Sequence, residues 1–191
     1  MKKGLLIILS GPSGVGKGTV RKIVMRDKSL NLAYSISMTT REPRAKEKDG
    51  VDYFFVSNEV FEENVANGNL LEHAEFVGNK YGTPSDYVEK LRNEGKNVIL
   101  EIEVNGAKQV LTKIDKKDRV TIFLLPPSIE ELESRIRHRR SETEDIIQAR
   151  LEKAKREMSE QNKYDYVVVN DTVNRAASAI KSIIRRSINR L

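Results

Sequence analysis

The stretch from Leu5 to Thr19, LLIILSGPSGVGKGT, limits the possible folds of this chain more than any other. Its apolar run does not alternate with polar residues, which is typical of a strand buried on both faces. Gly11, Gly14 and Gly16 permit left-handed backbone angles, so that successive N–H groups converge on one anion. A helix predicted to begin near Lys17 adds the positive end of its dipole. The sequence therefore predicts a phosphate-binding loop, with Lys17 as a mobile charge that follows a phosphoryl group.

The position after this lysine departs from the usual pattern of such loops. Gly18 stands where the pattern has the Ser or Thr hydroxyl that holds Mg²⁺. Thr19 follows directly, and we assign the metal-binding hydroxyl to it. The ATP-binding loop predicted from this stretch consists of Gly11, Pro12, Ser13, Gly14, Val15, Gly16, Lys17, Gly18 and Thr19.

Composition narrows the class of protein. A chain of 191 residues can bury a core as one domain with insertions. It has no cysteine, and its N-terminal apolar run is too short for a signal peptide, so we expect a cytoplasmic protein that is not inserted in a membrane.

The net charge of +6 suits nucleic-acid binding, but arginines gathered around two nucleotides give the same excess of positive charge. Only 6% of residues are aromatic, so we expect no nucleic-acid partner. The sequence leaves the oligomeric state open.

Strand and helix patterns alternate along most of the chain. Buried apolar runs cover residues 97–103, 119–125 and 165–169, and helical patterns follow each of them. This alternation predicts an α/β fold of three layers, with a central parallel sheet and helices on both faces. Ligands then bind at the carboxyl ends of the strands, where the phosphate-binding loop, Glu101 and Glu103 lie.

One interval interrupts this alternation. Residues 34–84 show short strand patterns separated by turns, including an alternating run from Tyr34 to Met38. We predict a strand-rich insertion over residues 34–94 within a core formed by residues 1–33 and 95–191. The polar stretch at about 137–145 is predicted to be a mobile lid within that core.

Arginines occur in two further patterns. Arg41 and Arg44 lie three apart outside any helix and resemble a clamp for a dianion. Arg135 and Arg139 lie four apart, hence on one face of a predicted helix. If the loop holds the β- and γ-phosphates of ATP, the clamp can hold a second phosphate that faces them. An acceptor that is already anionic needs no general base, which fits a chain with two histidines and no obvious base constellation.

Together with the loop, two longer runs resemble the guanylate kinase family over almost the full chain. They are Ser37 to Arg44, continued by Gly50 to Tyr53, and Glu72 to Thr83. The resemblance implies a phosphate-binding-loop fold with a GMP-binding insertion and a mobile lid. It also implies Mg²⁺-dependent transfer of the γ-phosphoryl group of ATP to GMP or dGMP, in line and without a covalent enzyme intermediate.

The resemblance assigns roles to particular residues. Catalytic roles fall to Lys17, Arg41, Arg135, Arg139 and Arg150. Contacts with GMP fall to Ser37, Arg41, Arg44, Tyr53, Glu72, Tyr81, Thr83, Glu101 and Glu103, and Asn170 and Asp171 lie near the base of ATP. Thr19 and, through a water molecule, Glu101 fall near the metal. The family commonly has aspartates where this chain has Glu101 and Glu103, so the division of roles between these two carboxylates stays open.

The chemistry of Glu72 favours guanine independently. Guanine presents two adjacent donors that one carboxylate accepts, whereas adenine presents an acceptor at N1. The sequence also allows other roles for these residues. Glu72 could be a solvated strand-end carboxylate, and Tyr53 and Tyr81 could be packing residues of the insertion. Two alternatives concern the whole chain, namely a kinase for another nucleoside monophosphate and a non-catalytic guanylate-kinase-like binding module.

Overall fold

The computed structural model describes residues 2–76, 78–137 and 143–190. In chain order its strands and helices are β1 (Leu6–Ser10), α1 (Lys17–Val24), β2 (Leu32–Tyr34), β3 (Met38–Thr39), β4 (Phe54–Phe55), α2 (Asn58–Ala66), β5 (Leu70–Phe76), β6 (Asn79–Pro84), α3 (Ser85–Asn93), β7 (Asn97–Glu101), α4 (Val104–Lys113), β8 (Arg119–Leu125), α5 (Ile129–Arg137), α6 (Glu144–Met158), β9 (Tyr166–Val169) and α7 (Val173–Ile188).

A five-stranded sheet forms the centre of the molecule, in the order β2-β7-β1-β8-β9. All its strand pairs are parallel. Every residue of β1 is buried, as its unbroken apolar run predicts. Alternate residues of β1 contribute to two separate cores: Ile7 packs with Val20 of α1 and Ile180 of α7, while Ile8 packs with Ala107 of α4. The predicted three-layer α/β fold is therefore confirmed.

A second sheet has four strands in the order β4-β3-β6-β5. The predicted single strand from Tyr34 to Met38 is wrong, because the chain passes from one sheet to the other within it. The N–H of Ser35 still donates to Ile99 in the central sheet (3.1 Å), whereas the carbonyl of Ser37 accepts from Phe54 in the second sheet (2.9 Å). Ser37 therefore lies where the two sheets diverge.

Serine side chains cap the starts of two helices. Ser128 and Glu131 have the sequence spacing of a capping box, which predicts a helix start, and the Ser128 hydroxyl accepts from the N–H of Glu131 at 3.1 Å. Ser57 caps α2 through the N–H of Val60 at 3.3 Å. On α7 the buried residues recur at helical spacing, at Ala176, Ala177, Ile180, Ile183 and Ile184. None of the helices in the described part of the chain is long and apolar enough to cross a membrane.

The predicted lid, at about residues 137–145, includes the last residue of α5 and the first two residues of α6. Arg137 ends α5, and its guanidinium donates to both carboxylate oxygens of Glu144, the first residue of α6, at 2.6 and 2.7 Å. Residues 138–142, which include the predicted catalytic residue Arg139, lie outside the described residues.

Candidate active site

The phosphate-binding loop joins the end of β1 to the start of α1, and its glycines are needed for steric reasons. Gly11 and Gly16 have φ values of 147° and 98°. A Cβ at Gly11 would lie 2.3 Å from the carbonyl oxygen of Leu124, and one at Gly16 would lie 2.9 Å from the side-chain nitrogen of Asn170. The same Asn170 nitrogen donates to the carbonyl of Val15 at 2.8 Å, so the loop is fixed from beneath.

Lys17 lies over this loop. Its ammonium donates to the carbonyls of Gly11 at 2.6 Å and of Pro12 at 3.1 Å. Burial lowers the pKa of Lys17, and the negative charges of Glu101 and Glu157 oppose that shift. The arrangement places a poorly solvated cation at the mouth of the loop, where an anion gains most from it.

Two clefts adjoin each other at the carboxyl ends of the central strands. The first, which we call the loop cleft, has a volume of about 560 Å³ and is lined by the phosphate-binding loop and the start of α1. The second, the intersheet cleft, has a volume of about 380 Å³ and lies between the two sheets. Both are lined by Tyr34, Tyr53, Glu101, Ile102 and Glu103. The molecule can therefore hold two ligands side by side.

The structure brings many of the predicted site residues to these clefts. The loop cleft is lined by Ser13, Gly14, Gly16, Lys17, Gly18 and Thr19, and the intersheet cleft by Ser37, Glu72 and Tyr81, in addition to the shared residues.

Glu72 is buried, with 6% of its surface exposed, so it is not a solvated strand-end carboxylate. The hydroxyl of Thr83 donates to its Oε1 at 2.6 Å. Its Oε2 lies against Gly106 at the start of α4, where a Cβ would approach to 2.6 Å. Burial raises the pKa of Glu72, and the hydrogen bond from Thr83 opposes that shift.

This raised pKa makes stability depend on pH. The folded protein holds the proton of Glu72 more tightly than the unfolded chain does. The resulting stabilisation is present below the ordinary Glu pKa and is lost as the pH rises through the raised value. We expect the free energy of unfolding of the wild type, relative to Glu72→Gln, to fall over that range. Denaturant titrations of both proteins at a series of pH values measure the difference, and a constant difference would contradict the shift.

The arginine clamp surrounds Glu47. Arg41 donates to both carboxylate oxygens of Glu47 at 2.8 and 2.9 Å, and the backbone N–H of Arg44 donates to the same carboxylate at 2.9 Å. The guanidinium carbon of Arg41 lies 5.4 Å from the centre of the Tyr53 ring. The Tyr53 and Tyr81 rings meet edge to face, with their centres 6.2 Å apart. The two tyrosines thus pack on each other and also line the intersheet cleft.

Two predicted arginines contact the loop from α5 and α6. Arg150 donates to the hydroxyl of Ser13 at 2.9 Å, and Arg135 donates to the carbonyl of Val15 at 3.4 Å and to that of Asn170 at 3.2 Å. Asp171 instead pairs with Arg175 at 2.7 Å and lines a separate groove between β9 and α7.

Sequence reasoning missed Arg21 and Tyr34. Nε of Arg21 donates to Glu101 Oε2 at 2.7 Å, and the guanidinium carbon lies 3.8 Å from the centre of the Tyr34 ring. Arg21 follows Lys17 by four residues on α1, a spacing that places both on one helix face and was the available signal. The contact holds Glu101 at the boundary between the two clefts.

Comparisons with known proteins agree with this geometry. A family model described as guanylate kinase matches residues 3–187. A guanylate kinase of Bacillus cereus is 58% identical over 183 residues, which cover 96% of this chain and 88% of the relative. One of Mesoplasma florum is 55% identical over 184 residues, and the chain spans only 61% of that relative's length.

A solved structure is also similar. The crystal structure of a guanylate kinase from Anaplasma phagocytophilum superimposes with a TM-score of 0.76 at 35% identity, covering 98% of this chain and 87% of that one. The match of the family model to nearly the whole chain and the high identity to the Bacillus protein lead to one conclusion. This chain belongs to the guanylate kinase family.

Proposed function

We propose that this chain transfers the γ-phosphoryl group of ATP to GMP or dGMP, giving ADP and the corresponding diphosphate. The observation that carries the proposal is the pair of adjoining clefts, one with the phosphate-binding loop and one with the buried carboxylate of Glu72. ATP binds in the loop cleft and GMP in the intersheet cleft.

Glu72 reads the base in this proposal. Its carboxylate accepts from N1–H and the amino group of guanine, and the hydrogen bond from Thr83 fixes its orientation. Ser37 faces the same cleft from the point where the sheets diverge. Adenine would present its N1 acceptor to a buried carboxylate, which costs binding energy because neither group is then paired.

We predict that Gly106→Ala weakens GMP binding. The new Cβ would lie 2.6 Å from Glu72 Oε2 and would push the carboxylate away from the base. The KM for GMP should rise about tenfold, because one misplaced polar contact costs roughly that much, while the KM for ATP stays unchanged. Steady-state kinetics with each nucleotide varied in turn measures both values. An equal rise in both KM values would contradict the assignment of the intersheet cleft to GMP.

The phosphate of GMP faces the γ-phosphate of ATP. We assign its binding to Arg41, Arg44, Tyr53 and Tyr81, with Arg41 exchanging part of its contact with Glu47 for the phosphate. A phosphate oxygen is already anionic, so transfer needs alignment and charge neutralisation and no general base.

The cations around the loop supply that neutralisation. Lys17 moves with the γ-phosphoryl group from donor to acceptor, and Arg135 and Arg150 stabilise the charge from the side of α5 and α6. Arg139 is assigned to the same group from its sequence position. Asn170 supports the loop from beneath. Asp171 is assigned to the base of ATP from its sequence position, although its carboxylate pairs with Arg175 in the separate groove between β9 and α7.

A nucleotide kinase reaction generally needs a divalent metal, and we propose Mg²⁺. The Thr19 hydroxyl and, through a water molecule, the Glu101 carboxylate would hold it, since both line the loop cleft and Mg²⁺ prefers oxygen donors. When bound, Mg²⁺ neutralises charge on the β- and γ-phosphates of ATP.

The division of the chain follows these roles. We assign residues 1–33 and 95–191 to the ATP-binding core, with the lid at about 137–145, and residues 34–94 to the GMP-binding insertion. The second sheet belongs to this insertion, and α3, at its end, packs through Val88 into the core beneath the central sheet.

Two observations favour catalysis on GMP over the alternatives. A non-catalytic binding module does not need a partly buried lysine over a phosphate-binding loop, and Lys17 has that position. A kinase for another nucleoside monophosphate has no need of a buried carboxylate opposite the base.

Phosphorus NMR of a mixture of ATP, GMP and Mg²⁺ tests the reaction. With catalytic amounts of the protein, we expect ADP and GDP to form in equal amounts. Release of inorganic phosphate without GDP would indicate an ATPase and would overturn the proposal.

A further inference from the structure

One face of α6 contacts both substrate clefts. Arg150, Lys153 and Glu157 are spaced three and four residues apart and therefore share that face. Arg150 donates to Ser13 in the loop at 2.9 Å. The ammonium of Lys153 donates to Glu103 Oε2 at 2.7 Å and lies 3.8 Å from Glu157 Oε1.

The ammonium of Lys153 lies between two carboxylates, of which Glu157 is buried and Glu103 is more exposed. Glu157 is only 8% exposed, and burial raises its pKa, with the charge of Glu103 adding to that shift. Lys153 opposes it. An isolated surface ion pair contributes little to stability, but the ammonium of Lys153 offsets the charge of the buried Glu157 and of the more exposed Glu103 together. Without it, Glu103 would lose the ammonium that holds its carboxylate, and the more distant charge of Lys17 would be left to oppose the repulsion between Glu103 and Glu157.

Each carboxylate at the end of β7 has its own cation. Arg21 of α1 holds Glu101 at 2.7 Å, and Lys153 of α6 holds Glu103 at the same distance. Both carboxylates line both clefts, but their cations lie on different helices. Glu101 is thus held from α1, the helix that follows the phosphate-binding loop, whereas Glu103 is held from α6.

We infer that Lys153 is a positioning residue for the nucleoside monophosphate, which holds Glu103 so that its carboxylate faces the acceptor in the intersheet cleft. This inference rests on the proposed function. It also gives the two carboxylates different roles: Glu103 serves the acceptor, and Glu101 serves the donor and its metal.

The test is a kinetic comparison of Lys153→Met, Lys153→Arg and the control Lys155→Met. Lys155 lies on the same helix and pairs with the exposed Glu152 at 2.8 Å, away from both clefts. We expect Lys153→Met to raise the KM for GMP about tenfold, with kcat within about twofold and the KM for ATP unchanged. Lys153→Arg should have a KM for GMP close to that of the wild type, and Lys155→Met should match the wild type.

A double-mutant cycle shows whether Lys153 acts through Glu103. Glu103→Gln should raise the KM for GMP by a similar factor, and adding Lys153→Met to it should change little more. Fully additive effects, or a change in melting temperature with unchanged kinetics, would overturn the inference. Failure of the wild type itself to phosphorylate GMP would instead overturn the proposed function, so the two failures are distinguishable.

Discussion

Lys17→Ala is expected to lower kcat for phosphoryl transfer by about a thousandfold while GMP affinity changes by less than about twofold. The reason is the position of the ammonium, which lies over the phosphate-binding loop and lines the loop cleft rather than the intersheet cleft. From there it stabilises charge on the phosphoryl group in transit. A coupled assay of ADP formation measures kcat, and calorimetric titration of GMP into the ATP-free protein measures affinity.

Lys155→Ala is the matched control for this substitution, since Lys155 is an exposed lysine on a helix that pairs with Glu152. It should behave as the wild type in both measurements. If Lys17→Ala lost GMP affinity instead of kcat, the two clefts would be assigned to the wrong nucleotides. If it kept both, the loop would not be the site of transfer.

Glu72→Gln is expected to lower kcat/KM for GMP about a hundredfold, because a buried site that loses its matched hydrogen bonds discriminates strongly. The amide oxygen of glutamine can keep the bond from Thr83, which leaves its NH₂ group facing the two donors of guanine. ATP affinity should not change, since Glu72 lines the intersheet cleft rather than the loop cleft. Competition between GMP and AMP in the same assay shows whether base selection is lost.

Glu63→Gln, an exposed residue of α2, provides the control for loss of a carboxylate and should leave kcat/KM unchanged. An unaltered preference of Glu72→Gln for GMP over AMP would show that another group reads the base.

Local sequence patterns predicted the parts of this molecule that depend on local chemistry. Gly11, Gly14 and Gly16 of the loop have positive φ, and a larger residue at Gly11 or Gly16 would not fit beside Leu124 or Asn170. The unbroken apolar run of β1 is buried on both faces, and Ser128 caps its helix. In each case the pattern itself contains the residues that determine the local structure.

What the sequence did not predict depends on contacts between distant residues. The alternating run from Tyr34 to Met38 is typical of one strand, because alternation does not show which sheet a residue joins. The contact of Arg21 with Glu101 spans 80 residues, and that of Lys153 with Glu103 spans 50. Such pairings arise only when the carboxyl ends of the strands meet, so no local pattern contains them.

Glu72 illustrates both sides of this division. The sequence alone indicates guanine, because a carboxylate at this position can accept from two donors. The environment of Glu72, however, is set by Thr83 on β6 and by Gly106 at the start of α4. The burial that raises its pKa and orients its carboxylate comes from the packing of α4 against β5. The resemblance to the guanylate kinase family suggested the proposed role of Glu72, and the fold provides the burial and the hydrogen bond on which that role depends.

Acceptor selectivity tests the central claim most directly. ADP formation from ATP and Mg²⁺ would be measured with GMP, dGMP, AMP, CMP, UMP and dTMP, each offered separately to the wild-type protein. The account predicts activity with GMP and dGMP and none above background with the other four. Equal activity with AMP or a pyrimidine monophosphate would contradict the reading of guanine by Glu72, and no activity with any acceptor would contradict the kinase assignment itself.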